Sequence, residues 1–197
     1  MMKQVYHIIL KIFNIFIKMK QNLGECIIMD NIEKNKYVKK EITTALLNLL
    51  KEKNLEEITV SEITSKAQVG RVSFYRNYKN KEDILKQYLL LIIKEWENKN
   101  STKNLTTDNI LKCLFEHLIT NKDFYTLLYQ KKLFYLFRNT LKQIIIKDKI
   151  ISNNVEAYAI AFVSYGIYGW IEEWLARGMQ ESADEIYTIL KMQAINK

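Results

Sequence analysis

The chain has 197 residues, of which 48% are hydrophobic, with 5 glycines and no proline, and this composition favours one compact all-helical protein with one small and one medium domain. The formal net charge of +8 is spread along the chain, so by itself it argues only weakly for nucleic acid. The two cysteines, Cys26 and Cys113, exclude a disulfide framework and make a reducing cytoplasm the default location.

Residues 1–28 form an apolar and basic leader that lacks a helix-capping signal. Lys11 and Asn14 interrupt the apolar core that a secretory signal requires, and the stretch from Val5 to Ile17 is too short to span a membrane. We favour translation from Met29, with residues 1–28 either disordered or an artefact of start-site choice; a short amphipathic membrane anchor is the alternative.

A first domain is predicted over residues 30–97. Apolar positions with helical spacing run from Tyr37 to Lys53, and Asn54 is expected to end this scaffold helix in a left-handed conformation.

Residues 59–83 predict two short helices joined by a tight turn. Thr59 and Glu62 form a capping box, so the first helix should begin near Val60. The second helix is predicted from Arg71 to Tyr78, with Phe74 turned inward. Six lysines and arginines lie between positions 66 and 86, against two carboxylates, so this segment should neutralise several phosphates. Its outward side chains suit phosphate oxygens and base edges: Arg71, Ser73, Arg76 and Asn77.

A long fourth helix is expected after Asn80, followed by a polar boundary at residues 98–106 and a second helical domain over residues 105–195. In that domain Gly178 should end a long helix that begins at Val155. Ser182 and Glu185 form a second capping box at the start of the last helix.

The motif Thr59-Val60-Ser61-Glu62-Ile63, the run Phe74-Tyr75-Arg76 and the segment Lys79 to Leu85 resemble the N-terminal domain of TetR-type transcriptional regulators. The resemblance implies a three-helix DNA-binding domain followed by a larger helical domain for effector binding and dimerisation. It places phosphate contacts on Thr59, Ser61, Tyr75 and Lys81, and base contacts on Arg71, Val72, Ser73 and Asn77. Two positions depart from the family pattern, since Gln68 replaces the usual turn glycine and Gly70 replaces the usual Ser or Thr cap.

The C-terminal stretch from Tyr165 to Leu175 is similar to the penultimate helix of one class of TetR-family effector domains. Gly166 and Gly169 weaken the helix, which favours close approach of another helix over room for a ligand. The resemblance implies a dimer interface that includes Gly166, Gly169, Trp174, Ile186 and Leu190. Aromatic residues could line an apolar effector pocket, although most are expected to be core: Phe115, Phe124, Tyr129, Phe137, Tyr165 and Trp170.

Nothing in the sequence predicts an enzyme, because no nucleophile and base pair and no phosphate-binding glycine loop is present. Cys113 and His117 could share a metal at i and i+4, but two ligands do not make a structural zinc site, so no metal or cofactor is predicted. The expected function is that of a dimeric, cytoplasmic, bacterial repressor, released from a double-stranded DNA operator by a small ligand or a protein partner. The alternatives are a partner-controlled co-activator and a helical interaction protein that binds nucleic acid nonspecifically.

Overall fold

The computed structural model describes residues 29–100, 107–146 and 154–195, and within these ranges every regular element is helical. The leader 1–28 and residues 101–106, which make up most of the predicted domain boundary, lie outside the described residues. The helices, in chain order, are α1 (Met29–Glu52), α2 (Val60–Lys66), α3 (Arg71–Asn77), α4 (Lys81–Asn100), α5 (Thr107–Thr120), α6 (Lys122–Gln130), α7 (Tyr135–Ile146), α8 (Asn154–Ala176) and α9 (Ala183–Ile195). A short 3-10 turn, Leu55–Glu57, lies between α1 and α2.

The described residues form two compact units, an N-terminal unit that ends at Ile92 and a C-terminal unit that begins at Ile93. The division falls inside α4, whereas the sequence placed the boundary at residues 98–106. Past this division Trp96 belongs to the C-terminal unit, where its indole Nε1 donates to the carbonyl of Cys113 at 3.0 Å.

In the N-terminal unit α1 packs against α2 and α3, and α2 packs against α3. The core is apolar, and the spacing of its members along each helix is the three- and four-residue repeat that the sequence shows. Its fully buried side chains are Ile42, Leu46, Leu50, Ile58, Ile63, Phe74, Ile84, Leu85 and Leu89.

In the C-terminal unit α5 packs against α6 and α9, and α8 packs against α6 and α7. Aromatic rings fill much of this core. The Phe115 ring meets Trp174 edge-on with centroids 5.5 Å apart, and Phe137 lies edge-on to Tyr125 at 5.4 Å.

Several predicted boundaries change in the structure. α1 begins at Met29 and therefore includes the residues before Tyr37. Asn54 was predicted to be left-handed, but its φ of −80° and ψ of 158° are extended, because its backbone N–H donates to the Glu57 carboxylate and caps the 3-10 turn. Thr107 lies inside α5, although it was expected to cap that helix.

Three helix ends share one hydrogen-bonding pattern, in which a left-handed residue directs the next N–H back to a carbonyl five residues earlier. It occurs at Gln68, Lys132 and Gly178, with φ of 54°, 57° and 80°. The closing bond after Gly178, from the N–H of Met179 to the carbonyl of Trp174, measures 2.8 Å. The predicted stop of α8 at Gly178 is thus present.

No helix within residues 29–100, 107–146 and 154–195 combines the length and the apolar character needed to cross a bilayer.

Candidate nucleic-acid interface

The first helix of the predicted pair begins with the capping box that the sequence indicates. The Glu62 N–H donates to Thr59 Oγ1 at 3.2 Å, and the Thr59 N–H donates to Glu62 Oε2 at 2.8 Å. Lys53 also donates to Glu62, with Nζ and Oε1 2.5 Å apart. The hydrogen bond from Lys53 and those from Thr59 lower the pKa of Glu62 to about 2. The Thr59 side chain is therefore engaged in fixing the start of α2.

The turn between α2 and α3 is closed by Gln68, which takes the left-handed conformation usually filled by glycine. The Val69 N–H donates to the Thr64 carbonyl at 3.0 Å, and the Gln68 N–H donates to Ser65 at 3.1 Å. Gly70 has φ of −72° and ψ of 149°, which any residue can adopt, and it caps α3 without a side-chain hydrogen bond. The departure at Gln68 leaves the turn intact, and the conformational freedom of Gly70 is not used.

The α3 helix presents two different faces. Phe74 and Tyr78 are buried beneath it, with their ring centroids 6.0 Å apart. On the opposite face Arg71, Val72, Tyr75 and Arg76 are exposed. Val72 is 72% exposed and Tyr75 is 63% exposed. The solvent-facing side of this short helix therefore carries two apolar groups flanked by two cations. Such a mixture suits a surface that approaches phosphates and base edges.

Ser61 and Arg71, predicted to contact phosphate and base respectively, contact each other. The Arg71 guanidinium donates to Ser61 Oγ, which places the N-terminus of α2 beside the start of α3. Ser73 and Asn77 are half-buried, and the Asn77 amide donates to the Ser73 carbonyl at 2.8 Å. The exposed face of α3 therefore consists of Arg71, Val72, Tyr75 and Arg76, while Ser73 and Asn77 lie at its edge.

Lys81, predicted to contact a phosphate, begins α4 and makes its hydrogen bonds within the N-terminal unit. Its ammonium donates to the carbonyls of Leu55, Glu56 and Ile58, with Nζ to oxygen distances of 2.6, 3.3 and 2.5 Å. These three bonds use the three N–H donors of the ammonium. In this arrangement Lys81 ties the start of α4 to the 3-10 turn and has no donor left for a phosphate, so the structure gives no support to its predicted DNA contact.

Two family models match the sequence of this chain. Residues 42–88 match "Bacterial regulatory proteins, tetR family", and residues 105–196 match "Transcriptional regulator C-terminal region". The chain belongs to the TetR family of transcriptional regulators. It is accordingly a DNA-binding transcriptional regulator.

Solved structures share the fold of this TetR-family chain at low sequence identity. The protein Lin0861 from Listeria innocua superposes with a TM-score of 0.73 and 16% identity, covering 91% of this chain and 97% of that one. A TetR transcriptional regulator from Streptococcus agalactiae gives 0.58 and 20%, covering 84% and 98%. The dihydroxyacetone kinase operon activator DhaS gives 0.53 and 21%, covering 80% and 94%. A comparison with curated proteins finds no match.

The six residues predicted to line an effector pocket of this regulator do not share one environment. Phe115, Phe124 and Phe137 are buried among other rings of the C-terminal unit. Tyr129 and Trp170 are half-buried, and Tyr165 is 54% exposed. The three phenylalanines thus serve as core in this arrangement, as the sequence suggested for most of the set.

The residues predicted for a dimer interface also separate into two groups. Gly166 and Gly169 are exposed, and a Cβ built on either would meet no atom within 4 Å. Trp174 and Ile186 are 1% and 6% exposed, so they lie in the core of their own unit and not on its surface. Leu190 is half-buried, and the contact of these residues with a second subunit stays a prediction.

Sequence reasoning missed a set of exposed apolar residues on the glycine side of α8. Together with Gly166 and Gly169 they occupy one face at three- and four-residue spacing, and we call this face the α8 stripe. Its apolar members are Val155, Tyr158, Phe162 and Tyr165. The three- and four-residue spacing of these positions is visible in the sequence, but the buried face of α8 has the same spacing, so spacing alone does not show which face is exposed.

His117 is buried in the core of the C-terminal unit. Its Nε2 lies 2.9 Å from the Tyr125 hydroxyl, and its ring centroid lies 5.8 Å from that of Trp96. Burial, with a smaller effect from Lys99, lowers the pKa of His117 to about 4. Within the residues described here, no group of three or more potential ligands could hold a metal ion.

Proposed function

We propose that the chain acts as a homodimeric repressor that inserts α3 of each subunit into successive major grooves of a roughly palindromic operator. The supporting observation is the exposed face of α3, where Arg71 and Arg76 flank Val72 and Tyr75. Two-fold related recognition helices read half-sites about 34 to 36 Å apart on B-DNA. Both cations would supply salt-dependent attraction to phosphates, and Arg71, at the start of α3, is the candidate for base reading.

The α8 stripe supports dimerisation. Val155 is 79% exposed, Tyr158 75% and Phe162 59%, which is unusual for neighbouring large apolar side chains on one helix. Gly166 and Gly169 continue the stripe without side chains, so a second helix can approach closely there. On α9, Ile189 and Met192 are also exposed. A second copy of the chain would cover these groups.

Release from DNA requires a ligand or partner that binds one subunit arrangement more tightly than the other. A ligand with equal affinity for both arrangements would not change the equilibrium between them. Phe115, Phe124 and Phe137 are buried as core and do not line an open ligand pocket. This favours a second candidate function, that of a regulator whose C-terminal unit is controlled by binding a protein. DhaS, which shares the fold, is named an operon activator, and this favours activation as the output of that second candidate.

Binding of the purified protein to its own upstream DNA tests the proposal. We expect two subunits per site and an affinity at least about a thousandfold above that for unrelated DNA of equal length. Equal and steeply salt-dependent binding to both DNAs would instead mean that only phosphates are read. Transcription from the bound template, with and without the protein, separates repression from activation.

Substitutions on α3 refine this test. Arg71→Ala should cost about 1 to 3 kcal/mol on the specific site and relax base preference at one position. Tyr75→Phe should weaken binding to all sequences equally, because it removes one hydroxyl able to donate to a phosphate. Thr120→Ser, on the C-terminal α5, is the control. If both α3 variants keep the DNA affinity and the base preference of the wild type, the exposed face of α3 is not the DNA-binding surface.

Dimerisation is tested separately with Phe162→Glu. The added charge would have to be buried against a second copy, so the molar mass in light scattering should fall from that of two chains to that of one. Thr120→Glu places the same charge on an exposed position outside the stripe and should leave the mass unchanged. A dimer that survives Phe162→Glu would show that the interface lies elsewhere.

A further inference from the structure

The recognition helix α3 is too short to be stable through its own hydrogen bonds. It has seven residues, from Arg71 to Asn77, and its last carbonyls have no partners inside the helix. Of its last four carbonyls, that of Phe74 accepts from the Tyr78 N–H at 2.9 Å, and the Ser73 carbonyl just before them accepts from the Asn77 side-chain amide. The carbonyl of Asn77, the last residue of α3, has its partner on another helix.

Gln87, on the second turn of α4, supplies that partner. Its Nε2 donates to the Asn77 carbonyl at 3.0 Å and to Asp83 Oδ2 at 3.2 Å. Its Oε1 accepts from Lys39 Nζ on α1, also at 3.0 Å. Each end of the amide faces a group of the opposite hydrogen-bonding character, so its orientation is determined by its neighbours.

The surroundings of this amide are themselves tied together. Asp83 Oδ2 accepts from the Lys79 N–H at 2.9 Å, just after α3. Lys39 also lies over the Tyr78 ring, with Nζ 5.9 Å from its centroid. Gln87 therefore stands where α1, α3 and α4 meet, and it makes a directional bond to two of these elements besides its own helix.

We infer that Gln87 is a positioning residue for DNA reading, which fixes the angle and the end of the recognition helix by joining the Asn77 carbonyl to Lys39. This inference rests on the proposed reading of DNA by α3. The apolar contacts of Phe74 with the core are not directional, so they hold α3 in place without fixing its orientation. Hydrogen bonds weaken steeply when misaligned, and the Gln87 amide therefore resists rotation or fraying of α3.

Two substitutions remove the hydrogen bond from Gln87 to the Asn77 carbonyl and differ in whether the bond from Lys39 is kept. Gln87→Met has similar length and favours helix, but it loses both the donor and the acceptor. Gln87→Glu keeps an acceptor for Lys39 but cannot donate to the Asn77 carbonyl. Ile84→Val is the control for general loss of stability, since Ile84 is fully buried on the same helix and has no part in the network.

The first measurement needs no DNA. Hydrogen exchange of the full chain, followed by mass spectrometry of peptides covering α3, should be about three- to tenfold faster in both Gln87 variants than in Ile84→Val, after correction for the melting temperature of each protein. Exchange in α3 that rises only in proportion to the loss of melting temperature would overturn the inference, because Gln87 would then be an ordinary stabilising residue.

The second measurement uses duplex DNA enriched from a random pool by the wild-type protein. The ratio of specific to nonspecific affinity should fall about three- to tenfold in Gln87→Met and Gln87→Glu and stay unchanged in Ile84→Val. An unchanged ratio in the Gln87 variants would overturn the positioning role. If the wild-type protein enriches no sequence, the proposed function fails, whereas the exchange measurement still decides whether Gln87 holds α3.

Discussion

The pKa of His117 leads to a specific prediction about the stability of the C-terminal unit. His117 is 7% exposed, and burial lowers its pKa from 6.5 to about 4. The native state therefore binds fewer protons than the unfolded state between these two values. Its contribution to stability is complete above about pH 6.5, is lost progressively as the pH falls, and levels off below about pH 4.

The magnitude follows from these two pKa values. A full shift of this size corresponds to about 3 to 4 kcal/mol, at about 1.4 kcal/mol for each unit of pKa. At pH 5 most unfolded chains carry a protonated His117 and most folded ones do not, so about 2 kcal/mol of the unfolding free energy should be lost between pH 7.5 and 5.

Urea unfolding followed by tryptophan fluorescence measures this loss in the right part of the chain. All three tryptophans, Trp96, Trp170 and Trp174, lie in the C-terminal unit. His117→Gln is the matched variant, because it keeps a neutral polar side chain that does not titrate. Its baseline stability can differ through lost contact with Tyr125, so the quantity compared is the change between pH 7.5 and 5 in each protein.

We expect that change to be about 2 kcal/mol larger in the wild type than in His117→Gln. The carboxylates with lowered pKa, Glu62 and Glu185, titrate below about pH 4.5 and are common to both proteins, so they cancel. Equal losses in the two proteins would refute the reasoning, since His117 would then be able to accept a proton in the folded state.

Three further predictions concern the N-terminal unit. Gln68→Gly should raise its unfolding free energy by about 1 kcal/mol in thermal unfolding, because a left-handed φ of 54° costs a residue with a Cβ about that much; a loss of stability would contradict this. Lys81→Met should lower stability by about 1 to 2 kcal/mol by freeing the carbonyls that its ammonium holds, whereas Lys79→Met, on an exposed side chain, should not. Because the pKa of Glu62 is about 2, hydrogen exchange in α2 should accelerate as the pH falls from 4.5 towards 2, after correction for the intrinsic pH dependence of exchange; the same acceleration in Glu62→Gln would assign it to another group.

The structure agrees best with the predictions from the sequence where the stabilising groups are only a few residues apart along the chain. The capping boxes at Thr59 with Glu62 and at Ser182 with Glu185 form as predicted, because each joins residues three positions apart. The all-helical class, the helix pair around the turn and the inward side of α3 follow from the same short-range signals.

The disagreements arise where apolar spacing does not distinguish the two sides of a helix. α8 carries large apolar residues around most of its circumference, so the sequence could not tell that Trp174 faces its own core and Phe162 faces water. Asn54 shows a similar limit. A residue suited to a left-handed helix end was expected there, but the Glu57 carboxylate gave its N–H a better partner in an extended conformation.

The sequence by itself determined the family, the helical class and the location of the recognition helix, because these depend on hydrogen bonds and apolar repeats within a few residues. Only the tertiary structure decided the roles of Lys81 and Gln87. The partners of Lys81 precede it by 23 to 26 residues, and Gln87 binds Lys39 from 48 positions away. Contacts at such separations depend on how helices pack, which no local pattern encodes, and they determine which polar side chains can face DNA and which hold the DNA-binding unit together.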